Sequence, residues 1–309
     1  MIDLSDKQSL INEILKLKKE KDAVILAHSY QTADIQEIAD VIGDSYALSK
    51  YCTKVKEKTL VFCGVHFMAE SAKILSPEKT VLLPEKNAGC PMADMVTAPE
   101  LRAFKKMYPD AAVVTYINSS AAVKAESDVI VTSSNAVKVV SNMKEKQIIF
   151  CPDKNLGAFV AAKCPDKEFI LWDGYCPVHN KMIKEYVYAA KEKYPEAKIL
   201  VHPECPSDVC KLADFIGSTK EIMEYASKTD YKAFIVGTEQ GVLHPMSRDN
   251  KGKKFYLLSE DLVCEDMKLT TLDSLYRCLL TGSYEMDLDE EIIQKASKAL
   301  NRMIELASK

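Results

Sequence analysis

No apolar run in this sequence approaches the ~18 consecutive residues of a membrane-spanning helix, which excludes a span. Positive charge is not in excess. Forty-one Lys and Arg stand against 45 Asp and Glu, a net charge of −4, so nucleic acid has no electrostatic claim as a partner. The opening residues, M-I-D-L-S-D-K-Q-S-L, lack the basic start and apolar core of a secretory signal. The expectation is a soluble, cytoplasmic protein that binds neither membrane nor nucleic acid. None of the ten cysteines forms a C-x-x-C pair, which argues against a zinc ribbon. Disulfides are not expected in a reducing compartment. Most of the cysteines should be small buried hydrophobes, with a minority free to hold a metal or cluster. No low-complexity linker is visible.

What is present is a repeat. L-W-D-G-Y-C-P-V-H (Leu171 to His179) reads as the end of a buried strand entering a tight turn that carries a cysteine. Val81 to Cys90 and Phe255 to Cys264 repeat the event, and Cys90, Cys176 and Cys264 lie 86 and 88 residues apart. Three further landmarks keep this register, with spacings of 88 and 86. Apolar runs ending in polar residues align His28, Tyr116 and His202, and two residues on Tyr30, Asn118 and Glu204. A-D-V-I-G-D-S, S-D-V-I-V-T-S and A-D-F-I-G-S-T align Asp40, Asp128 and Asp214, read as structural. L-V-F-C-G-V, I-I-F-C-P-D and F-I-V-G-T-E form the third set.

The 309 residues, 47% hydrophobic, suffice for two or three domains. The strand runs are apolar on both faces and alternate with helices, the pattern of covered parallel sheets. The fold expected is three homologous three-layer α/β/α repeats about a pseudo-threefold axis with a central active site. The units are 1–91, 92–177 and 178–265. A helical segment, 266–309, is expected to pack on the first. Helices are expected from Ser5 or Asp6 to Lys19, over Ala98 to Met107, after Ser133-Ser134 to about Lys144, over Asn180 to Lys193, and along Leu288 to Lys309.

Sites in parallel α/β sheets lie beyond the carboxyl ends of the strands. Three thiolates delivered there suit zinc or iron–sulfur, and a [4Fe–4S] cluster on three cysteines leaves one iron open as a Lewis acid. Ser45, Ser133-Ser134 and Ser218-Thr219 open helices, whose free N–H groups attract phosphate or carboxylate. Glu204 and Tyr30 are candidate acid–base groups, and His28, His179 and His202 fall at strand ends or beside a cysteine. The ligand expected is small and anionic. Cys205 and Cys210 are read as structural, and His66 and His244 as mainly structural, although Thr238 to Pro245 could line the cavity wall.

Together A-H-S-Y-Q, I-G-D-S, N-A-G-C-P-M-A-D-M, T-Y-I-N-S-S, V-T-S-S-N-A, W-D-G-Y-C-P-V-H, V-H-P-E-C, A-D-F-I-G-S-T and C-E-D-M-K followed by T-L resemble the A-type quinolinate synthase family over nearly the whole chain. The resemblance implies an enzyme, a transferase of NAD biosynthesis. It would condense iminoaspartate with dihydroxyacetone phosphate to quinolinate, with loss of phosphate and two waters. It implies one [4Fe–4S] cluster per chain on Cys90, Cys176 and Cys264, with one iron open to substrate. His28, Ser45, His202 and Thr219 would hold substrate anions, with Ser133 and Ser218 in the same lining. Tyr30, Tyr116, Asn118 and Glu204 would move protons and orient intermediates, His202 assisting. An aspartate-oxidising enzyme would supply iminoaspartate. The sequence departs from the resemblance at Ser29 and at Glu265-Asp266, where a second cysteine of a C-x-x-C pair is absent. Alternatives are another three-cysteine open-cluster enzyme, such as a reductive dehydroxylase of an allylic diphosphate, and a non-catalytic iron–sulfur sensor.

Overall fold

The computed structural model describes residues 6–309. The candidate cap Ser5 lies outside them. Asp6 caps the helix Lys7–Glu20, its carboxylate accepting from the Ser9 N–H at 2.8 Å.

Among the described residues, twelve strands form three parallel four-stranded sheets. The first holds β1 (Ala23–His28), β2 (Val41–Gly43), β3 (Thr59–Cys63) and β4 (Thr80–Leu82), in the order β2-β1-β3-β4. The second holds β5 (Ala112–Tyr116), β6 (Val129–Val131), β7 (Gln147–Cys151) and β8 (Glu168–Leu171), in the order β6-β5-β7-β8. The third holds β9 (Lys198–Val201), β10 (Phe215–Ile216), β11 (Ala233–Gly237) and β12 (Lys254–Leu257), in the order β10-β9-β11-β12. One topology occurs three times, and every ladder is parallel.

The apolar runs explain the layers. In β1, Ile25 and Ala27 face the helix Lys7–Glu20 through Leu10, Ile14 and Leu17, while Val24 and Leu26 face a core shared with the second sheet. In β5, Val113 faces Leu101, and Val114 faces that shared core. The third sheet is covered by Met182 and Val187 on one side and by Ile222 and Met246 on the other. Each fully buried Leu, Ile or Val is worth roughly 1.5–3 kcal/mol, so double-sided burial stabilises the central strands most.

The aligned aspartates hold the turn before each short second strand. Asp40, Asp128 and Asp214 accept from the N–H of Ile25, Val113 and Ile199 at 2.8, 2.7 and 2.9 Å. Each donates its own N–H to the carbonyl of that same residue. Their repetition in three registers is the threefold pattern written in hydrogen bonds.

After the third sheet, the helix Leu272–Thr281 packs on Lys7–Glu20. The helix Glu290–Ser308 buries Ala296, Ala299, Leu300 and Met303, at the i, i+3, i+4, i+7 spacing of one face. That face meets His66–Leu75 of the first unit, and Ala121–Ala125 and β6 of the second.

Three local expectations differ from the structure. Leu171 ends an edge strand and is exposed, because β8 pairs only with β7. No helix begins at Asn180. A short 3-10 turn (His179–Lys181) is followed by extended Met182 and Ile183, and the helix starts at Lys184. The break lets Met182 bury completely in the third core. Ser133 and Ser134 lie in a turn ahead of the helix Ala136–Ser141, since Asn135 Oδ1 accepts from the Thr132 N–H at 2.8 Å and delays the start.

Candidate active site

A cavity of about 220 Å³ opens where the carboxyl ends of the strands converge. His28, Tyr116 and His202 reach it from the ends of β1, β5 and β9, with Tyr30, Asn118 and Glu204 beside them. Nδ1 of His28 accepts from the Tyr30 N–H at 3.1 Å, and Nδ1 of His202 from the Glu204 N–H at 3.3 Å. A neutral ring so engaged carries its proton on Nε2. Burial pushes the His28 imidazole down to about 3 and that of His202 to about 4. Both rings are therefore neutral N–H donors near pH 7.

A continuous hydrogen-bonded chain crosses the cavity. The Tyr30 hydroxyl meets Thr219 Oγ1 at 2.9 Å and Thr238 Oγ1 at 2.8 Å. Thr238 Oγ1 meets His179 Nε2 at 3.0 Å, and His179 Nδ1 meets Glu204 Oε2 at 2.7 Å. The Tyr116 hydroxyl donates to Glu204 Oε1 at 2.6 Å. All three units contribute. Burial alone would raise the Glu204 carboxyl, but His202, His179 and the Tyr116 hydroxyl hold it well below the usual carboxylate range. Burial and the Glu204 charge push both phenols up. The site thus pairs one ionised base with two protonated phenols.

Cys90, Cys176 and Cys264 line the same cavity. A carboxylate braces each cysteine loop. Asp153 Oδ2 accepts from the Cys176 N–H at 3.0 Å, and Glu239 Oε1 from the Cys264 N–H at 3.2 Å. Asp266 Oδ1 accepts from the Gly89 N–H at 3.2 Å. A Cβ at Gly174 would stand 2.5 Å from the Pro152 carbonyl oxygen, so the turn before Cys176 can seat only against a glycine. Burial pushes the thiols up, Cys90 to about 12 and Cys264 to about 11, and Cys176 also upward. Three converging neutral thiols in a buried pocket fit a group whose own positive charge makes them thiolates. Cys176, His179 and Glu204 also offer ligand atoms within 4.8 Å of one another, and His179 Nδ1 lies 3.2 Å from Cys176 Sγ as well as 2.7 Å from Glu204 Oε2.

Ser45, Ser133 and Thr219 line the cavity. Ser45 opens the helix Ser45–Cys52, and Thr219 opens Thr219–Lys228. Ser218 is not in the lining; its hydroxyl is the N-cap of the second helix, accepting from the Glu221 N–H at 3.3 Å. The Ser134 hydroxyl donates to Asp44. Asn118 Oδ1 is buried without a partner among the described residues. His244 lies outside the lining and pairs with Glu37 at 2.6 Å, and Cys205 and Cys210 are buried thiols donating to backbone carbonyls.

Sequence reasoning gave His179 no firm part, yet it is the middle of the hydrogen-bonded chain. Asp153 and Lys268 were not singled out, and Glu239 only within the Thr238 to Pro245 stretch, where it does line the cavity. Lys268 Nζ pairs with Glu239 at 2.8 Å and donates to the Tyr30 carbonyl. The signal was available for two of them: Asp153 and Glu239 end the third aligned landmark in units two and three.

A family model described as "Quinolinate synthetase A protein" matches residues 12–305. A quinolinate synthase of Caldicellulosiruptor saccharolyticus is 54% identical over 302 residues, covering 98% of this chain and 100% of that protein. One of Caldicellulosiruptor bescii is 56% identical over 297 residues, covering 96% and 98%. One of Clostridioides difficile is 51% identical over 300 residues, covering 97% and 99%.

Proposed function

The chain belongs to the quinolinate synthetase A family, and from that premise we propose that it condenses iminoaspartate with dihydroxyacetone phosphate to quinolinate. Phosphate and two waters leave, and the reaction is redox-neutral, in the transferase class. The observation that carries this reading is the meeting of three thiols and one acid–base chain in a single cavity. The family match favours it over a reductive dehydroxylase, and the ionised Glu204 beside two phenols favours it over a sensor.

Cys90, Cys176 and Cys264, one from each proposed unit (1–91, 92–177 and 178–265), would hold a [4Fe–4S] cluster. When bound, that cluster supplies an open iron, a Lewis acid for substrate oxygen or nitrogen. The remaining work falls to the chain's own groups. The Nε2–H donors of His28 and His202, with Ser45, Ser133 and Thr219, would hold carboxylate and phosphate, Ser218 capping the helix that Thr219 opens. Asn118 Oδ1 is a free acceptor suited to an imine or amine N–H. Glu204 would take protons, and Tyr116 and Tyr30 would return them through His179 and Thr238.

Iminoaspartate hydrolyses readily, so an aspartate-oxidising enzyme is the proposed supplier. A cytoplasmic site of action is proposed too; among the described residues no helix is long and apolar enough to cross a membrane. The test is an anaerobic quinolinate assay with no added reductant, alongside iron and sulfide content. Production of quinolinate supports the synthase reading. A need for reductant, or full activity in Glu204→Ala and Tyr30→Phe, would overturn it or its acid–base assignment.

A further inference from the structure

The 88- and 86-residue register aligns Gln36, Lys124 and Cys210, and equally Gln31, Ser119 and Cys205. The first member of each pair donates to the backbone carbonyl of the second. Gln36 Nε2 donates to Gln31 O at 2.8 Å, Lys124 Nζ to Ser119 O, and Cys210 Sγ to Cys205 O at 3.4 Å. Each acceptor directly follows a cavity residue: Tyr30, Asn118 or Glu204. Three chemically unlike side chains thus make the same bond at the same place.

Lys124 is the costliest choice of the three. It is fully buried, and an ammonium in that position is unfavourable unless it is partnered. Its Nζ lies 5.4 Å from the Phe67 ring centroid, in the field of Glu70. Glu70 in turn accepts from the Ala121 N–H at 2.9 Å. Lys124 and Glu70 therefore grip both ends of the short Ser119–Ala121 segment that follows Asn118. Phe67 and Asn118 both line the cavity, so the grip also joins its walls across two units.

We propose that Gln36, Lys124 and Cys210 are equivalent positioning residues, and that Lys124 acts on the reaction by fixing Asn118. The activity arm of the test rests on the synthase reading; the exchange arm does not. In holoenzyme, Lys124→Met should keep its iron, with a lowered unfolding midpoint because the Ser119 carbonyl and the buried Glu70 lose their partner. Amide hydrogen exchange at residues 119–121 should quicken about tenfold or more, with the helix Glu290–Ser308 unchanged. The kcat for quinolinate formation should fall about 10- to 100-fold with KM little moved. In an Asn118→Ala background, Lys124→Met should cost nothing further. Unchanged exchange, or losses that multiply in the double variant, would overturn the proposal. If Lys124→Met does not fold, Gln36→Met with Tyr30→Phe gives the same cycle in the first unit. A wild-type enzyme that makes no quinolinate would defeat the synthase reading, and the exchange result would still decide this one.

Discussion

The second and third cysteine loops differ from the first. In units two and three, a carboxylate from the end of the third strand, Asp153 or Glu239, accepts the cysteine N–H. Unit one has Val65 at that register position. Its cysteine loop is braced instead by Asp266, which lies two residues beyond the third cysteine. The second and third units carry their own anchors, while the first borrows one from the segment that follows the third. Three similar units thus close into one site through their dissimilar parts.

The sharpest way to break this comparison is to remove the thiols. Cys90→Ala, Cys176→Ala and Cys264→Ala should each abolish the iron content of anaerobically purified protein, about four per chain in the parent. Cys205→Ala should retain it. A variant of the three that kept full iron would mean that the braces differ because the roles differ. Among the aligned Tyr30, Asn118 and Glu204, only the third unit supplies an ionised group. Glu204→Gln should cost about 10²–10⁴ in kcat, measured by quinolinate release; a loss below tenfold would move the base elsewhere.

The braces themselves should rank by how many buried partners each substitution leaves unpaired. Glu239→Ala leaves Lys268 and the N–H groups of Gly241 and Cys264 without their acceptor, and should cost about 3–5 kcal/mol. Asp153→Ala loses the Cys176 bond and the cap on the Leu156 N–H, about 2–4 kcal/mol. Asp266→Ala, partly exposed, should cost about 1 kcal/mol. Urea unfolding would settle the order, and Asp266 leading it would reverse the comparison.

A further effect is spread over several pH units. His28 is held neutral to about 3, whereas in the unfolded chain it binds a proton below about 6.5. Stability from this shift is fully present above about 6.5 and is lost as pH falls toward 3, by at most about 1.4 kcal/mol per pH unit. His28→Gln should flatten the fall in urea midpoint between about pH 6.5 and 4. An unchanged slope would mean that His202 and the carboxylates account for it.

Much of the architecture was legible because its signals are local. Asp40, Asp128 and Asp214 each bond a strand residue 15 positions back in the same repeat, so their spacing recurs in the sequence and in the hydrogen bonds alike. The cysteines were legible through the same register. Lys268 with Glu239, Asp266 with Gly89, and Thr238 with His179 were not, because each joins residues 29 to 177 positions apart whose meeting depends on how the sheets pack. The break at Met182 was hidden for a related reason. Its helical pattern is sound locally, and the demand that Met182 bury in the third core overrides it. Edge and central strands also share one apolar pattern, which is why Leu171 read as buried.

The linkage from Thr219 through Tyr30, Thr238, His179 and Glu204 to Tyr116 has a consequence for water. A proton taken up at one end can be matched by another released at the far end while no heavy atom travels. A reaction that expels two waters can then stay balanced in charge along the wall of the site itself, with less need of solvent to carry the proton.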